Sequence, residues 1–447
     1  MDQYSQLRRF GLLDANLPRY TSYPPVPRFT DDVKSRDFSA WVSQIPASTG
    51  VSIYLHIPFC QRLCWFCSAR TQGAPGGAPV AAYVDALLQE IDTLRAILPQ
   101  GVYAKRVYWG GGTPTILSPA DINRLSTALF EVLPLSDTSD IKVEIDPTEL
   151  DDARLDALAA MGLTHASIGV QDFDPEIQKL IGREQSFEAT KAAVEGLRAR
   201  GLRTLTMGLL YGLPRQTRAR LTLTTQMMLS LTPDRVAVQP YAHVPTIARR
   251  QSLIPTEDLP PPETQLQLFD TASQILTWDG YEPIGIDHFA LPSDRLAQAA
   301  KVRRLSRSFE GYTDDTGGVL IGLGASAISR FTQGYAQNAP STTAYLKAVA
   351  AGGLPITRGH QTQGEDALRG RMIEMVLCDF RIDTARLLAE GLGPQRLITE
   401  LLAQLVRTFT GQVIPTPDGI VIPRHAKPLA RVIARDLDAY TKPTKEG

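Results

Sequence analysis

Three of the four cysteines in this 447-residue sequence fall within eight positions, as Cys60-x3-Cys64-x2-Cys67. They follow the apolar run Val51-Ser-Ile-Tyr-Leu-His-Ile57, whose residue types predict a strand. Thiolates so close together suit a compact inorganic core, and Cys378 alone outside the group leaves no disulfide framework to build. A cubane of four irons normally takes four cysteines, so three leave one iron open to a group that is not protein. Chemistry would occur at that iron. A structural zinc site, with His56 completing a tetrahedron with Cys60, Cys64 and Cys67, is the competing reading, and free thiols are a third. Strand alternation, however, puts His56 on the same face as Tyr54, and Phe59, Leu63, Trp65 and Phe66 surround the loop with the dry shell a redox cluster needs.

The elements that must hold this loop alternate in type. Strands are expected at Ser52–Ile57, Arg106–Gly110, Lys142–Ile145, Ala166–Val170, Thr204–Leu210 and Val236–Tyr241. Helices are expected between them, at Val80–Ile97, Pro119–Leu133, Asp151–Met161, Pro175–Ile181, Ser186–Arg200 and Arg218–Leu231. Each gap is long enough for a crossover helix, so the sheet should be parallel, and six units predict a partial (β/α)6 TIM-like barrel in an α/β chain. Functional groups of parallel sheets collect at the carboxyl ends of the strands. At those ends lie the cysteine loop, Gly110-Gly-Gly-Thr-Pro-Thr115, Glu144-Ile-Asp-Pro147, Gly169-Val-Gln-Asp-Phe173, Tyr211-Gly-Leu-Pro214 and Tyr241-Ala-His-Val-Pro245.

Past residue 250 the pattern becomes irregular. A helix at Pro262–Trp278, a turn-rich section to about residue 340, helices near Asp366–Leu377 and Gly393–Phe409, a hairpin over Gly411–Ile422 and a helix over Leu429–Tyr440 are expected. The domains read as an amino-terminal arm at 1–37, a catalytic domain at 38–345 and a smaller, mostly helical, winged-helix-like cap at 346–447. A formal net charge of -1 and 21% charged residues point to neither nucleic-acid nor membrane binding. No signal peptide is visible at Met1-Asp-Gln-Tyr-Ser-Gln-Leu, and no apolar stretch approaches the ~18 residues that span a bilayer. Together with the unpaired cysteines, this places the chain in the cytoplasm. No surface pattern demands a partner subunit, so a monomer is expected.

The cysteine loop, with Phe66 just before its third cysteine, resembles that of the radical S-adenosylmethionine superfamily. More narrowly, the chain resembles the oxygen-independent coproporphyrinogen III oxidases (coproporphyrinogen dehydrogenases). The match spans essentially its whole length: Pro18-Arg-Tyr-Thr-Ser-Tyr-Pro24, Tyr54-Leu-His-Ile-Pro-Phe-Cys60, Trp109-Gly-Gly-Gly-Thr-Pro-Thr115, Gly182-Arg-Glu-Gln185, Tyr211-Gly-Leu-Pro-Arg-Gln-Thr217, Asp287-His-Phe-Ala290 and Gly322-x-Gly-x-Ser-Ala-Ile-Ser329. The resemblance implies a radical S-adenosylmethionine barrel whose 4Fe–4S cluster is ligated by Cys60, Cys64 and Cys67, with S-adenosylmethionine chelated on the open iron. Reductive cleavage would yield a 5′-deoxyadenosyl radical. The radical takes a hydrogen from the β-carbon of a propionate of coproporphyrinogen III, carbon dioxide leaves, and a vinyl group remains after one electron departs. An electron donor and an electron acceptor, both unidentified, are thereby required.

Residue roles follow by resemblance alone. Tyr54 and Phe66 would pack on the cofactor, Gly111, Gly112 and Thr113 would bind it through the backbone, and Glu144, Gln171 and Arg183 would supply polar contacts. Ala242 and Ile328 would complete the pocket, and Tyr54 and Glu144 would stand nearest the chemistry. Two positions depart from the family pattern: Ala69 stands where members carry a fourth cysteine, and Gly208 where they carry an acid that contacts the cofactor. These departures keep an alternative open, a haem- or porphyrin-handling paralogue without decarboxylase activity. For the substrate's carboxylates, Arg19 and a basic rim of Arg249, Arg250 and Lys301–Arg307 are candidates, and His243 and His288 could lie near the pocket. Asp146 and Asp172 are explained equally well as helix caps, and Cys378 as a small buried hydrophobe.

Overall fold

The computed structural model describes residues 8–12, 17–74, 77–315 and 318–440. The chain divides into two compact units, one made of Thr30–Asp279 and Gly318–Gly359, the other of Met1–Phe29, Gly280–Gly317 and His360–Gly447.

In the first unit α1 (Ser35–Ser43) leads into β1 (Gly50–Ile57), and a short parallel pair, β2 (Phe59–Cys60) and β3 (Gln72–Gly73), brackets the cysteine loop. There follow α2 (Ala78–Arg95), β4 (Tyr103–Gly111), α3 (Pro119–Val132), β5 (Leu135–Ile145), α4 (Asp152–Ala160), β6 (His165–Gln171), α5 (Pro175–Leu180), α6 (Phe187–Ala199), β7 (Thr204–Tyr211), α7 (Arg218–Ser230), β8 (Arg235–Pro240) and α8 (Pro262–Trp278). All six expected strands and the helices between them are present. Side-chain caps define the helix starts: Ser118, Asp151, Asp174, Ser186 and Thr217 each accept a backbone N–H of the first turn.

The strands β1, β4, β5, β6, β7 and β8 are neighbours in that order and parallel, giving the six-unit α/β sheet. On the other side of β1 the sheet continues into β9 (Leu320–Leu323), β10 (Ile328–Phe331), β11 (Gly334–Asn338) and, beyond α9 (Thr342–Ala350), β12 (Ile356–Gln361). The section read as turn-rich thus contains strands, β9 parallel to β1 and β10 antiparallel to both its neighbours. Its short, glycine-dense strands carry too few alternating positions to show a period.

The second unit combines short antiparallel hairpins with helices. Glu282–Ile284 pairs with His288–Ala290, and Ser306–Ser308 with Gly311–Thr313. Helices Asp366–Asp379, Gln395–Thr408 and Ala430–Leu437 dominate its carboxyl-terminal part, beside a three-stranded sheet of Arg381–Asp383, Gly419–Val421 and Ile414–Thr416. The Pro-Arg-Tyr-Thr-Ser-Tyr-Pro segment is anchored here, with Tyr20 and Tyr23 buried and Tyr20 Oη donating to Asp438 Oδ2 at 3.1 Å. Arg307, a candidate for the basic rim, is 6% exposed and lies over the Tyr312 ring at 4.8 Å, its backbone N–H donating to Glu374. Lys301 pairs with Glu282 at 3.0 Å. Cys378 belongs to the apolar core, as its surroundings in sequence suggested.

Close backbone packing sets one sharp constraint on the sheet. A Cβ at Gly322, paired with Tyr54 across β9 and β1, would sit 2.7 Å from the carbonyl oxygen of Ile328. Gly322→Ala should therefore lower stability by about 1–3 kcal/mol, read by chemical denaturation of the metal-free chain. Unfolding at the wild-type midpoint would contradict this packing.

Candidate functional site

Parallel register brings the ends of β1 and β4 level, with His56 opposite Gly110 and Ile57 opposite Gly111. Past the ladder the two backbones stay joined, because Gly112 N donates to Ile57 O at 2.7 Å and Thr113 N to Phe59 O at 2.8 Å. A side chain at Gly112 would meet Phe59 O at 2.5 Å, so only glycine lets the strand end lie against the start of the cysteine loop. Gly111 adopts φ 114° and packs on the His56 ring.

Cys60, Cys64 and Cys67 are free thiols, each partly buried. Burial pushes Cys60 up to about 11, the neighbouring Cys67 and Cys64 adding to the shift and the Thr113 hydroxyl opposing it. Burial likewise raises Cys67, with Arg250 and Arg183 pulling the other way. The aromatic shell is in place. Trp65 and Phe66 pack with Ile177, Ile181, Leu213 and Tyr241, and Trp65 N donates to Ile181 O at 2.9 Å.

Glu144 ends β5 with its two carboxylate oxygens directed to different donors, Gly111 N at 3.0 Å and the Tyr108 hydroxyl. Tyr108 in turn packs against Tyr54, ring centroids 5.4 Å apart. Tyr54 Oη lies 2.8 Å from His56 Nδ1, and His56 Nε2 is buried without a partner. Burial pulls His56 down to about 4, so it is neutral near pH 7. Gln171 holds φ 66° at the end of β6, its side chain folded over Gly169. Arg183 follows α5 and reaches back, Nη2 to Gly169 O at 3.0 Å and Nη1 to Cys64 Sγ at 3.4 Å. Ile328 opens β10 beside Gly322, the strand partner of Tyr54. The positions singled out in the sequence thus gather at the carboxyl ends of β1, β4, β5 and β6 and in the adjoining loops.

Several residues of this region carried no signal in the sequence. Gln251, fully buried, donates to both Phe66 O at 2.8 Å and Ala242 O at 3.1 Å, which ties Ala242 to the cysteine loop. Arg250, expected at a substrate rim, donates instead to Ala69 O and Thr71 Oγ1. His243 is bound between Tyr241 Oη and Thr256 Oγ1. Asp172 is buried under Thr224 and Gln216, and Asp146 caps the Thr148 turn. In α2, Tyr83 and Glu90 pin the 322–328 loop. Tyr83 Oη donates to His56 O and accepts from Ala325 N, while Glu90 accepts from Gly324 N, Asn338 Nδ2 and Tyr345 Oη. The bonds to Gly324, Ala325, Asn338 and Tyr345 span more than two hundred positions, and no local pattern marks them.

The Radical SAM superfamily profile matches residues 54–226. A solved structure of coproporphyrinogen III oxidase from Escherichia coli, described as a radical SAM enzyme, superimposes with a TM-score of 0.89 at 36% identity over 94% of this chain and 97% of that one. Fold and profile together define a radical SAM protein. Whole-chain similarity is narrower still, with 53% identity over 441 residues to the oxygen-independent coproporphyrinogen III oxidase of Cereibacter sphaeroides, covering 98% of each chain. The Escherichia coli oxidase of the same name is 37% identical over 436 residues, 95% of this chain and 93% of the relative. The chain belongs to the oxygen-independent coproporphyrinogen III oxidase family. Proteins of this kind use a 4Fe–4S cluster and S-adenosylmethionine.

The residues present fit such a cluster. Three thiols share one loop, Arg183 and Arg250 lie close enough to offset thiolate charge, and the orphaned His56 nitrogen and the Gly110–Gly112 backbone border the same strand ends. Among the described residues no helix is long and apolar enough to cross a membrane.

Glu90 gives this region a pH signature. Burial raises its carboxyl from the ordinary 4.5 to about 7, against the hydrogen bonds from Tyr345, Gly324 and Asn338. A raised folded-state value means that the carboxyl favours the fold while protonated, and that this contribution is lost as pH climbs from 4.5 through about 7. Glu90→Gln cannot titrate, so its unfolding free energy should gain on the wild type by about 3 kcal/mol across that window. Denaturation curves of the two proteins that stay parallel from about pH 5 to about pH 8 would contradict the assignment.

Proposed function

We propose that this chain catalyses oxygen-independent oxidative decarboxylation of two propionates of coproporphyrinogen III to vinyl groups, forming protoporphyrinogen IX in porphyrin and haem biosynthesis. The observation that carries the reading is the gathering of three partly buried thiols, Arg183, Glu144 and Tyr54 at adjoining strand ends, in a chain whose relatives bear this activity in their names. Cys60, Cys64 and Cys67 would ligate the cluster, and Phe66, Gly111, Gly112, Thr113, Gln171, Ala242 and Ile328 would line the cofactor pocket. When bound, the cluster and S-adenosylmethionine supply the 5′-deoxyadenosyl radical that abstracts hydrogen from the propionate.

The chain's own contribution is positional. Glu144, fixed by Gly111 N and Tyr108, offers carboxylate oxygens to hydroxyl donors, and Tyr54 offers a ring held by Tyr108 and His56. Trp65 and Phe66, packed on the Ile177–Tyr241 cluster, give the cysteine loop an apolar backing that would limit the access of water to a bound cluster. We place the protein in the cytoplasm as a monomer that meets a separate electron donor and acceptor, and assign residues 38–345 as the catalytic domain between an arm at 1–37 and a cap at 346–447.

Anaerobically reconstituted protein, given reductant, S-adenosylmethionine and coproporphyrinogen III, should release carbon dioxide and form the vinyl product. Cofactor cleavage with neither would replace this reading by that of a porphyrin-handling paralogue. The two departures from the family pattern are also testable. Gly208 lies opposite Gly169, and a Cβ there would meet nothing nearer than 3.6 Å, so the backbone leaves room for a side chain to start at this position. A restored charge-assisted hydrogen bond is worth roughly 1.5–3 kcal/mol, so the Ala69→Cys, Gly208→Asp double variant should bind S-adenosylmethionine about tenfold to hundredfold more tightly and turn over faster. Unchanged affinity and rate would show that neither position limits this chain.

A further inference from the structure

Arg183 makes a contact that its family role does not explain. The resemblance gives it a cofactor carboxylate as partner, yet its Nη1 stands 3.4 Å from the sulfur of Cys64. The rest of the guanidinium is held from other sides, with Nε donating to Gln185 Oε1 at 3.1 Å and Nη2 to Gly169 O at 3.0 Å. Nη1 also stands 3.4 Å from Asp146 Oδ2, and the two side chains are only 13% and 12% exposed, so solvent ions screen the pair little. The backbone leading into Arg183 is packed as well, because a Cβ at Gly182 would meet the Trp65 ring at 2.7 Å. A planar fork bound at three nitrogens cannot swing away from the sulfur without surrendering its other acceptors. Although burial works against its charge, Asp146 and Cys64 hold Arg183 above its ordinary value.

A hydrogen bond to a ligating sulfur stabilises the more negative, reduced form of an iron–sulfur cluster, and such bonds are among the determinants of its potential. A cationic donor in a dry site exerts this effect more strongly than a neutral one. We propose that Arg183 sets the reduction potential of the cluster through its hydrogen bond to Cys64 Sγ, and that Asp146 is the counter-charge that limits the effect. The assignment rests on the reading of Cys64 as a cluster ligand and adds to it a tuning residue for electron entry. One hydrogen of Nη2 stays available for a cofactor carboxylate, so the two roles are compatible.

The test is an EPR-monitored redox titration of the reconstituted full-length chain, with neither S-adenosylmethionine nor substrate present, alongside iron and sulfide analysis and circular dichroism. Without cofactor, a residue that only grips the carboxylate leaves the potential unmoved. Arg183→Gln should lower the reduced-to-oxidised ratio at a fixed applied potential about tenfold, equivalent to about 59 mV more negative for one electron. Asp146→Asn, which leaves the arginine charge uncompensated, should shift the potential the opposite way. If Arg183→Gln fails to retain iron, the Asp146 variant decides alone, a positive shift supporting the proposal and an unmoved potential overturning it. Iron missing from the wild type would overturn the cluster reading and this one together. Iron present with both variants at the wild-type potential would overturn the tuning role only.

Discussion

Everything at this site depends on two backbones lying closer than any side chain allows. The chain leaving β1 is clamped to the chain leaving β4 by the Gly112–Ile57 and Thr113–Phe59 hydrogen bonds, and the space between them excludes even a methyl group. This clamp fixes where Cys60 begins its loop. It also turns Gly111 N toward Glu144, and the Tyr108 hydroxyl reaches the same carboxylate from within β4. A parallel sheet supplies the level strand ends, and glycine supplies the contact, so the loop inherits its position from the most rigid part of the fold.

Around the clamp, buried polar groups are balanced rather than absent. Burial and the neighbouring sulfurs make Cys60 and Cys67 resist ionisation, and Arg183 and Arg250 oppose that tendency at Cys67. On the far side of β1, Tyr83 and Glu90 reach from a single helix to hold the Gly324–Ala325 backbone and the His56 carbonyl. The arginines thus act on the cysteine loop, while Tyr83 ties the Ala325 backbone to the end of β1. A low-dielectric setting makes such groups costly when unpaired and strongly orienting when paired.

The alternating half of the chain was legible because its periods are long and its punctuation is strong. Every expected strand from Ser52 to Tyr241 and every intervening helix is present, most ends within a few residues, while the strand expected to begin at Lys142 begins at Leu135. The cysteine spacing and the strand-end loops located the site by the same logic. The four strands between Leu320 and Gln361 escaped notice because they are short, four to six residues each, and three of them carry a glycine that interrupts alternation. Arg307 and Arg250 were candidates for a basic rim because the substrate's carboxylates call for one, and nothing in their local sequence announced that Arg307 lies over the Tyr312 ring or that Arg250 donates to the Ala69 carbonyl. Gln251, Tyr108 and Glu90 had no signature, since their roles exist only as contacts between distant segments. The association of residues 1–29 with 280–317 and 360–447 in one unit is of the same kind.

The account stands or falls on a cluster with one iron left for the cofactor. Mössbauer and EPR spectra of the anaerobically reconstituted protein, recorded before and after adding S-adenosylmethionine, test this directly. The account predicts about four irons per chain and a change confined to one iron site when the cofactor is added. Zinc in place of iron, or a cluster whose spectra are indifferent to S-adenosylmethionine, would contradict it.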